Sequence, residues 1–174
     1  MRRYDWRAHA TRVGENVLDL SHFPWVHPGL LGDRSQPIGP DIAVESDGDE
    51  LCYDVPHELT GQVRRYRLNL PFTVRIVRQP ADPAVPDRRT LFLTHTPVAD
   101  KQTLQFQVLA RNFGLDEPDD DFRTLNATIV AQDEPIVASQ RPELLPTDLS
   151  AELHLRGPDA TAIEYRRALA RLGI

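Results

Sequence analysis

From about residue 41 to residue 113 the chain changes polarity every second residue, and that period confines the middle of the molecule to half-buried β-structure. IAVES and ELCYDVPHEL flank DGD, and RTLFLTHTPV and TLQFQVLARNF are separated by ADKQ. Between them, VRRYRLNLPFTVRIVRQ puts Val74 and Ile76 on one side, with Arg75 and Arg78 interrupting the other. Successive strand side chains point to opposite faces, so such alternation predicts an antiparallel sheet with one buried face. DGD and ADKQ are then hairpin turns.

The flanks carry a helical period instead. Ala10, Val13, Val17, Leu18 and Ser21 predict a helix from about Trp6 to Ser21. Pro24 should end it, because the residue before a proline avoids the α region. A Gly- and Pro-dense loop, PGLLGDRSQPIGP, follows. Beyond the strands, DEPDDD opens a helix with the acidic residues a helix amino terminus favours, and Phe122, Leu125, Ile129, Ile136 and Gln140 continue it. A last helix from about Pro158 to Leu172 carries Ile163, Leu169 and Leu172. Helix, sheet and then long helices predict an α+β fold, a curved antiparallel sheet around a long C-terminal helix.

Composition removes several function classes. At 174 residues the chain fits one domain. Cys52 is the single cysteine, so these residues build no internal disulfide and no cysteine-ligated zinc or iron–sulfur centre. The charged amino end has no signal-like apolar run, and no segment nears the roughly 20 apolar residues of a membrane span. A net charge of −6 gives no nucleic-acid footprint. A cytoplasmic protein without a membrane span is expected.

The chemistry-bearing residues gather in ENVLDLSHFPWVHPG, residues 15 to 29, which holds Asn16, Asp19, His22 and His27 in a chain with six histidines. Five residues are about 500° of an ideal helix, so His22 and His27 converge only if the helix ends between them. Asp19 and His22, three apart, share a helix face. That spacing permits two imidazoles on one metal with a carboxylate behind one of them. It equally permits two histidines at a helix end with ordinary hydrogen bonds. A third ligand is usually a carboxylate. Asp133 interrupts the apolar face between Ile129 and Ile136, which is costly unless the charge is paired or coordinates a metal. With Pro135 two residues on, a solvent-facing Asp beside a kink fits the same pattern.

The spacing N-x2-D-x2-H-x4-H over Asn16, Asp19, His22 and His27 resembles the iron-site motif of Rieske non-heme iron oxygenases, particularly the vanillate O-demethylase and pheophorbide a oxygenase branch. QDEPIVASQRPELLP resembles that branch's second motif, and AELHLRGPDATAIEYRRAL its last helix. The resemblance runs from about residue 10 to the end, the length of the catalytic domain. It implies a helix-grip (Bet v 1-like) fold, with His22, His27 and Asp133 as a facial triad on mononuclear Fe(II). It implies that Asp19 hydrogen-bonds the first histidine and links it to a Rieske cluster across a subunit boundary. Asn16 matches a polar residue near the iron that is usually not a ligand. The implied activity is hydroxylation or O- or N-demethylation of an aromatic or other cyclic small molecule with O2.

Two departures shape the expectation. The branch normally carries an amino-terminal Rieske domain with two Cys and two His ligands, whereas the iron motif here begins about fifteen residues in and one cysteine is present. Gln132-Asp133 also stands where an acidic pair is usual, leaving Glu134 as a shifted reserve. Electrons would then come from a separate Rieske [2Fe-2S] or ferredoxin protein and an NAD(P)H-dependent reductase, and a homotrimer is possible. The alternatives are a helix-grip module that binds a small apolar ligand, or an oxygenase remnant without redox activity of its own.

Other residues carry weaker signals. His57 and His95 fall in strands and read as core or surface histidines, with His95 able to reach substrate. His9 and His154 read as ordinary polar positions. DEPDDD lacks the glycine and terminal glutamate of a calcium loop. Trp25 is placed to pack over the site, and Leu70, Phe72, Leu93 and Phe106 are candidate pocket walls.

Overall fold

The computed structural model describes residues 1–57 and 61–174. Its centre is one antiparallel sheet of β1 (Arg2–Trp6), β2 (Glu45–Asp47), β3 (Glu50–His57), β4 (Gln62–Asn69), β5 (Thr73–Pro80), β6 (Arg89–Ala99) and β7 (Gln102–Arg111). The order across the sheet is β1-β7-β6-β5-β4-β3-β2, and the sheet is open and curled. Four helices complete the α+β fold: α1 (Ala10–Leu18), α2 (Phe23–Val26), α3 (Asp120–Ser139) and α4 (Ala160–Leu172).

Alternation along the strands decides the faces. Leu51, Tyr53 and Val55, Tyr66 and Leu68, Val74 and Ile76, and Leu93 all point inward and are buried. Tyr165, Ala168 and Leu169 of α4 pack onto them, with Leu18 and Leu20. Each large apolar side chain removed from water contributes about 1.5–3 kcal/mol, so this layer is the principal source of stability. A second core joins Trp6, Ala8, Val13 and Val137 between β1, α1 and α3. The two predicted hairpins are present as β2–β3 and β6–β7.

Several local expectations change. Trp6 ends strand β1, which pairs with β7 and which the helical period over Ala10 and Val13 concealed. Helix α1 stops at Leu18, because the Asp19 side chain accepts the Ser21 amide at 2.6 Å and turns the chain there. Pro24 starts α2 rather than ending α1, a position where the missing N–H costs nothing. Arg78 shares the inward parity of Val74 and Ile76 instead of opposing them. Helix α3 runs through Pro135 and buries Asp133 and Val137, leaving Ile136 46% exposed. The strand read over ELCYDVPHEL holds to His57; Glu58 and Leu59, and the environment of the His57 side chain, lie outside the described residues. No described helix is long and apolar enough to cross a membrane.

Candidate metal centre

Helix α2 is a single turn bracketed by the two histidines, with His22 at its amino cap and His27 at its carboxyl cap. Their rings therefore meet across one turn, with centroids 5.2 Å apart. The loop behind is wound tightly on His27, whose carbonyl accepts the amides of Leu30, Leu31 and Gly32. Gly32 is required there: a Cβ would sit 2.4 Å from the Pro24 nitrogen. Asp133 arrives from α3 and closes the trio. Ligand-type atoms of His22, His27 and Asp133 all lie within 4.8 Å of one another.

Hydrogen bonds on the far side of each ring set which nitrogen faces the centre. His22 Nδ1 lies 3.1 Å from Asp19 Oδ2, and His27 Nδ1 lies 2.7 Å from Gln132 Oε1. Both partners are acceptors, so each Nδ1 carries a proton and each neutral ring turns its Nε2 lone pair inward. The two Nε2 atoms approach the same carboxylate oxygen, Asp133 Oδ1, at 3.6 and 2.9 Å. Although 2.9 Å apart, His27 Nε2 and Asp133 Oδ1 form no aligned hydrogen bond, and both are buried without a partner among the described residues. Three inward lone pairs in a water-poor spot require a cation, either a proton or a metal. The donor set of two imidazoles and one carboxylate fits a divalent transition metal with open positions. Burial, the largest influence on His27, opposes its charge, but Asp133 and Gln132 outweigh it and hold its pKa above the ordinary value.

The remaining candidates separate clearly. Asp19 stands behind His22, holding its Nδ1 and the chain turn with one carboxylate. Asn16 is half-buried and lines a cleft of about 160 Å³ with Asp19 and Gln140. Glu134 turns away and pairs with Arg7 at 2.8 Å, which lowers its pKa. Trp25 is 57% exposed and does not cover the site; Phe23 does, its ring 4.9 Å from that of His22 and 5.9 Å from that of His27. His95 is a core histidine, with Nδ1 3.1 Å from the Phe72 carbonyl and Nε2 accepting from Gln105 at 2.9 Å. Burial pushes its pKa down to about 4. Phe106 lies on the outer face, between inward Gln105 and Gln107.

Gln132 is the residue that sequence reasoning undervalued. It was legible only as a missing acid, yet its amide oxygen does for His27 what Asp19 does for His22.

Residues 6–173 match the model of the vanillate O-demethylase oxygenase C-terminal domain. The chain belongs to that family. Among curated proteins it is similar to methylxanthine N1-demethylase NdmA of Pseudomonas putida, 27% identical over 97% of this chain and 48% of the relative. Methylxanthine N3-demethylase NdmB of the same organism is 27% identical over 94% of this chain and 47% of its own length. The solved structure of NdmA with caffeine superposes with a TM-score of 0.84 at 27% identity, covering 99% of this chain and 50% of that one. Dicamba monooxygenase bound to dicamba, at 16% identity, shares the fold with a TM-score of 0.72, over 98% of this chain and 57% of that one. The chain thus falls in a family of oxygenases and demethylases and spans about half the length of the curated relatives it matches.

Proposed function

We propose that this chain is the catalytic component of a mononuclear non-heme Fe(II) oxygenase, hydroxylating or demethylating an aromatic or other cyclic small molecule. The observation that supports it is the convergence of His22 Nε2, His27 Nε2 and Asp133 Oδ1 with no other partner for the buried pair. When bound by those three residues, Fe(II) supplies the activation of O2, which with two electrons and two protons from outside inserts one oxygen atom and releases water. This chain's own residues do the rest. Asp19 and Gln132 orient the two imidazoles and raise their basicity as ligands. Phe23 shields the histidines from water.

Residues 1–174 act as one catalytic-type domain in this reading, working in the cytoplasm. They hold no set of cysteines for a Rieske [2Fe-2S] cluster, and in this reading the electrons come from a Rieske cluster outside these residues, fed by an NAD(P)H-dependent reductase. The Asp19 side chain, 32% exposed while touching His22, gives that donor a place to dock. A homotrimer would bring such a donor site to each subunit boundary.

The test is iron content after anaerobic reconstitution with Fe(II), for the native chain and a His22→Ala, Asp133→Ala double variant. Near one iron per native chain, lost in the double variant, is expected. No specific iron in the native chain would leave a ligand-binding module in place of an oxygenase.

A further inference from the structure

The turn that carries Asp19 is held on both sides by α4, which supplies none of the three metal residues. Leu18 ends α1, and its carbonyl accepts the hydroxyls of Thr161 and Tyr53, each at 3.1 Å. Thr161 is buried in the first turn of α4. Two residues after Asp19, the Ser21 hydroxyl donates to Oδ1 of Asp159, the amino cap of α4, at 3.2 Å. The start of α4 therefore grips the chain just before Asp19 and just after it.

Asp159 is itself fixed. Its Oδ2 accepts the Leu155 amide at 2.7 Å, and its own N–H donates to the Leu155 carbonyl at 3.1 Å. With Oδ2 engaged there, Oδ1 is left for Ser21. Ser21 in turn places its amide on Asp19 Oδ1 at 2.6 Å, which leaves Asp19 Oδ2 for His22 Nδ1 at 3.1 Å. Three hydrogen bonds thus run in series from α4 to the imidazole.

Asp19 needs this support. Its side chain is 32% exposed and borders the cleft of about 160 Å³ that Asp159 also lines. A carboxylate in reach of water gives up a hydrogen bond at little cost, because water replaces it. What keeps Oδ2 on His22 is then the hold on Oδ1, which belongs to the Ser21 amide. The peptide presenting that amide is held by the Ser21 hydroxyl on Asp159.

We propose that Ser21 and Asp159 are positioning residues of the metal centre: they hold the Asp19 carboxylate against His22 Nδ1 and so fix the nitrogen that His22 turns inward. The assignment rests on His22, His27 and Asp133 being the metal ligands. Asp159 acts only through Ser21. His27, held by Gln132 instead, lies outside this path.

The Co(II)-loaded chain tests this, with the water-exchange rate of each imidazole Nδ1 proton read by paramagnetic NMR. Ser21→Ala removes the hydroxyl and keeps the amide, whereas Ser21→Thr keeps both. In Ser21→Ala and in Asp159→Ala the His22 proton should exchange tenfold or more faster, with the His27 proton at its native rate. Co(II) affinity should fall by up to about tenfold, the low end of what a direct partner contributes. Ser21→Thr should behave as native, and the Ser21→Ala, Asp159→Ala double variant should match the single ones, since groups acting in series are not additive. Ser21→Ala, which trims one half-buried side chain, carries the decision if Asp159→Ala unfolds α4. An unchanged His22 proton, both imidazole protons loosened alike, or additive effects in the double variant would overturn the proposal. A native chain that takes up no Co(II) would sink the metal-site reading, and the His22 tautomer, read from 15N shifts of the metal-free protein, then decides the rest. A tautomer altered in Ser21→Ala keeps the positioning role, and one left unchanged removes it.

Discussion

His27 Nδ1 and Gln132 Oε1 lie 2.7 Å apart, and this hydrogen bond decides that His27 offers its other nitrogen to Asp133. Partners of metal-bound histidines commonly contribute 10–100-fold to metal affinity. Gln132→Ala should therefore weaken Fe(II) binding by about that factor with little change in Tm, whereas Gln132→Glu, which keeps an acceptor, should retain most of it. Competition with a chelator of known affinity checks both.

Asp133 is a buried carboxylate whose inward oxygen has no aligned hydrogen bond. Asp133→Asn removes that charge, so the metal-free variant should be as stable as the native protein or more so. Metal should then distinguish the two. At 100 times the dissociation constant, Fe(II) should stabilise the native chain by about 2.7 kcal/mol and leave Asp133→Asn unchanged. Thermal melts with and without Fe(II) under anaerobic conditions measure it.

Gly32 packs against the backbone of Phe23 and Pro24 with no room for a Cβ. Backbone cannot yield as a flexible side chain does, so Gly32→Ala should displace the loop that holds His27. The expected result is a loss of metal affinity of tenfold or more, with the sheet still folded by circular dichroism.

His95 has a folded-state pKa of about 4, below the ordinary 6.5. The unfolded chain then binds the proton more readily, so stability rises with pH between these values. Its contribution is complete above about pH 6.5, falls as pH drops toward 4, and changes no further below that. The full swing is on the order of 3 kcal/mol. Urea unfolding from pH 7 to pH 4 should show a flatter slope for His95→Gln. A His95 imidazole seen by NMR to protonate near pH 6.5 in the folded protein would sink the assignment.

Arg166 joins α4 to α1 by gripping buried Glu15 at 2.6 and 3.0 Å, and it shares Glu152 with Arg12. Arg166→Ala leaves the Glu15 carboxylate with Arg12 alone, at 3.7 Å, and losing one partner of a buried pair costs up to about 3–5 kcal/mol. Arg12 and Arg166 hold the Glu152 pKa at about 2, below the ordinary 4.5. Its stabilisation is complete above pH 4.5 and is lost as pH falls through 2. The difference in Tm between native protein and Glu152→Gln should shrink across that window and be constant above it.

Much of this molecule follows from local pattern. Alternation over residues 41 to 113 marked the strand zone and two hairpins, because side-chain parity is a property of the chain alone; it did not mark the fold-back of VRRYRLNLPFTVRIVRQ into β4 and β5. The motif from Asn16 to His27 and the apolar phase around Asp133 located the three metal-ligand candidates from one helix end and a distant helix. The partner positions were less legible. Strand β1 was hidden because five residues with three charges make a strand only when β7 supplies their hydrogen bonds. Gln132 has no pattern of its own as an orienting group, since its role exists only where α3 passes His27.

A row of arginines on the inner face of the sheet marks the boundary most sharply. Parity along each strand places Arg64, Arg78, Arg89 and Arg111 on one face, whereas the sequence reading sets Arg78 opposite Val74 and Ile76. Their alignment is register, set by which residues of four strands lie opposite each other. Register is an outcome of the whole sheet closing on its core. The sequence by itself determined the strand zone and named the residues that are candidates to hold a metal. Only the tertiary structure brought the inward charges side by side, because long-range pairing decides which neighbours a buried cation meets.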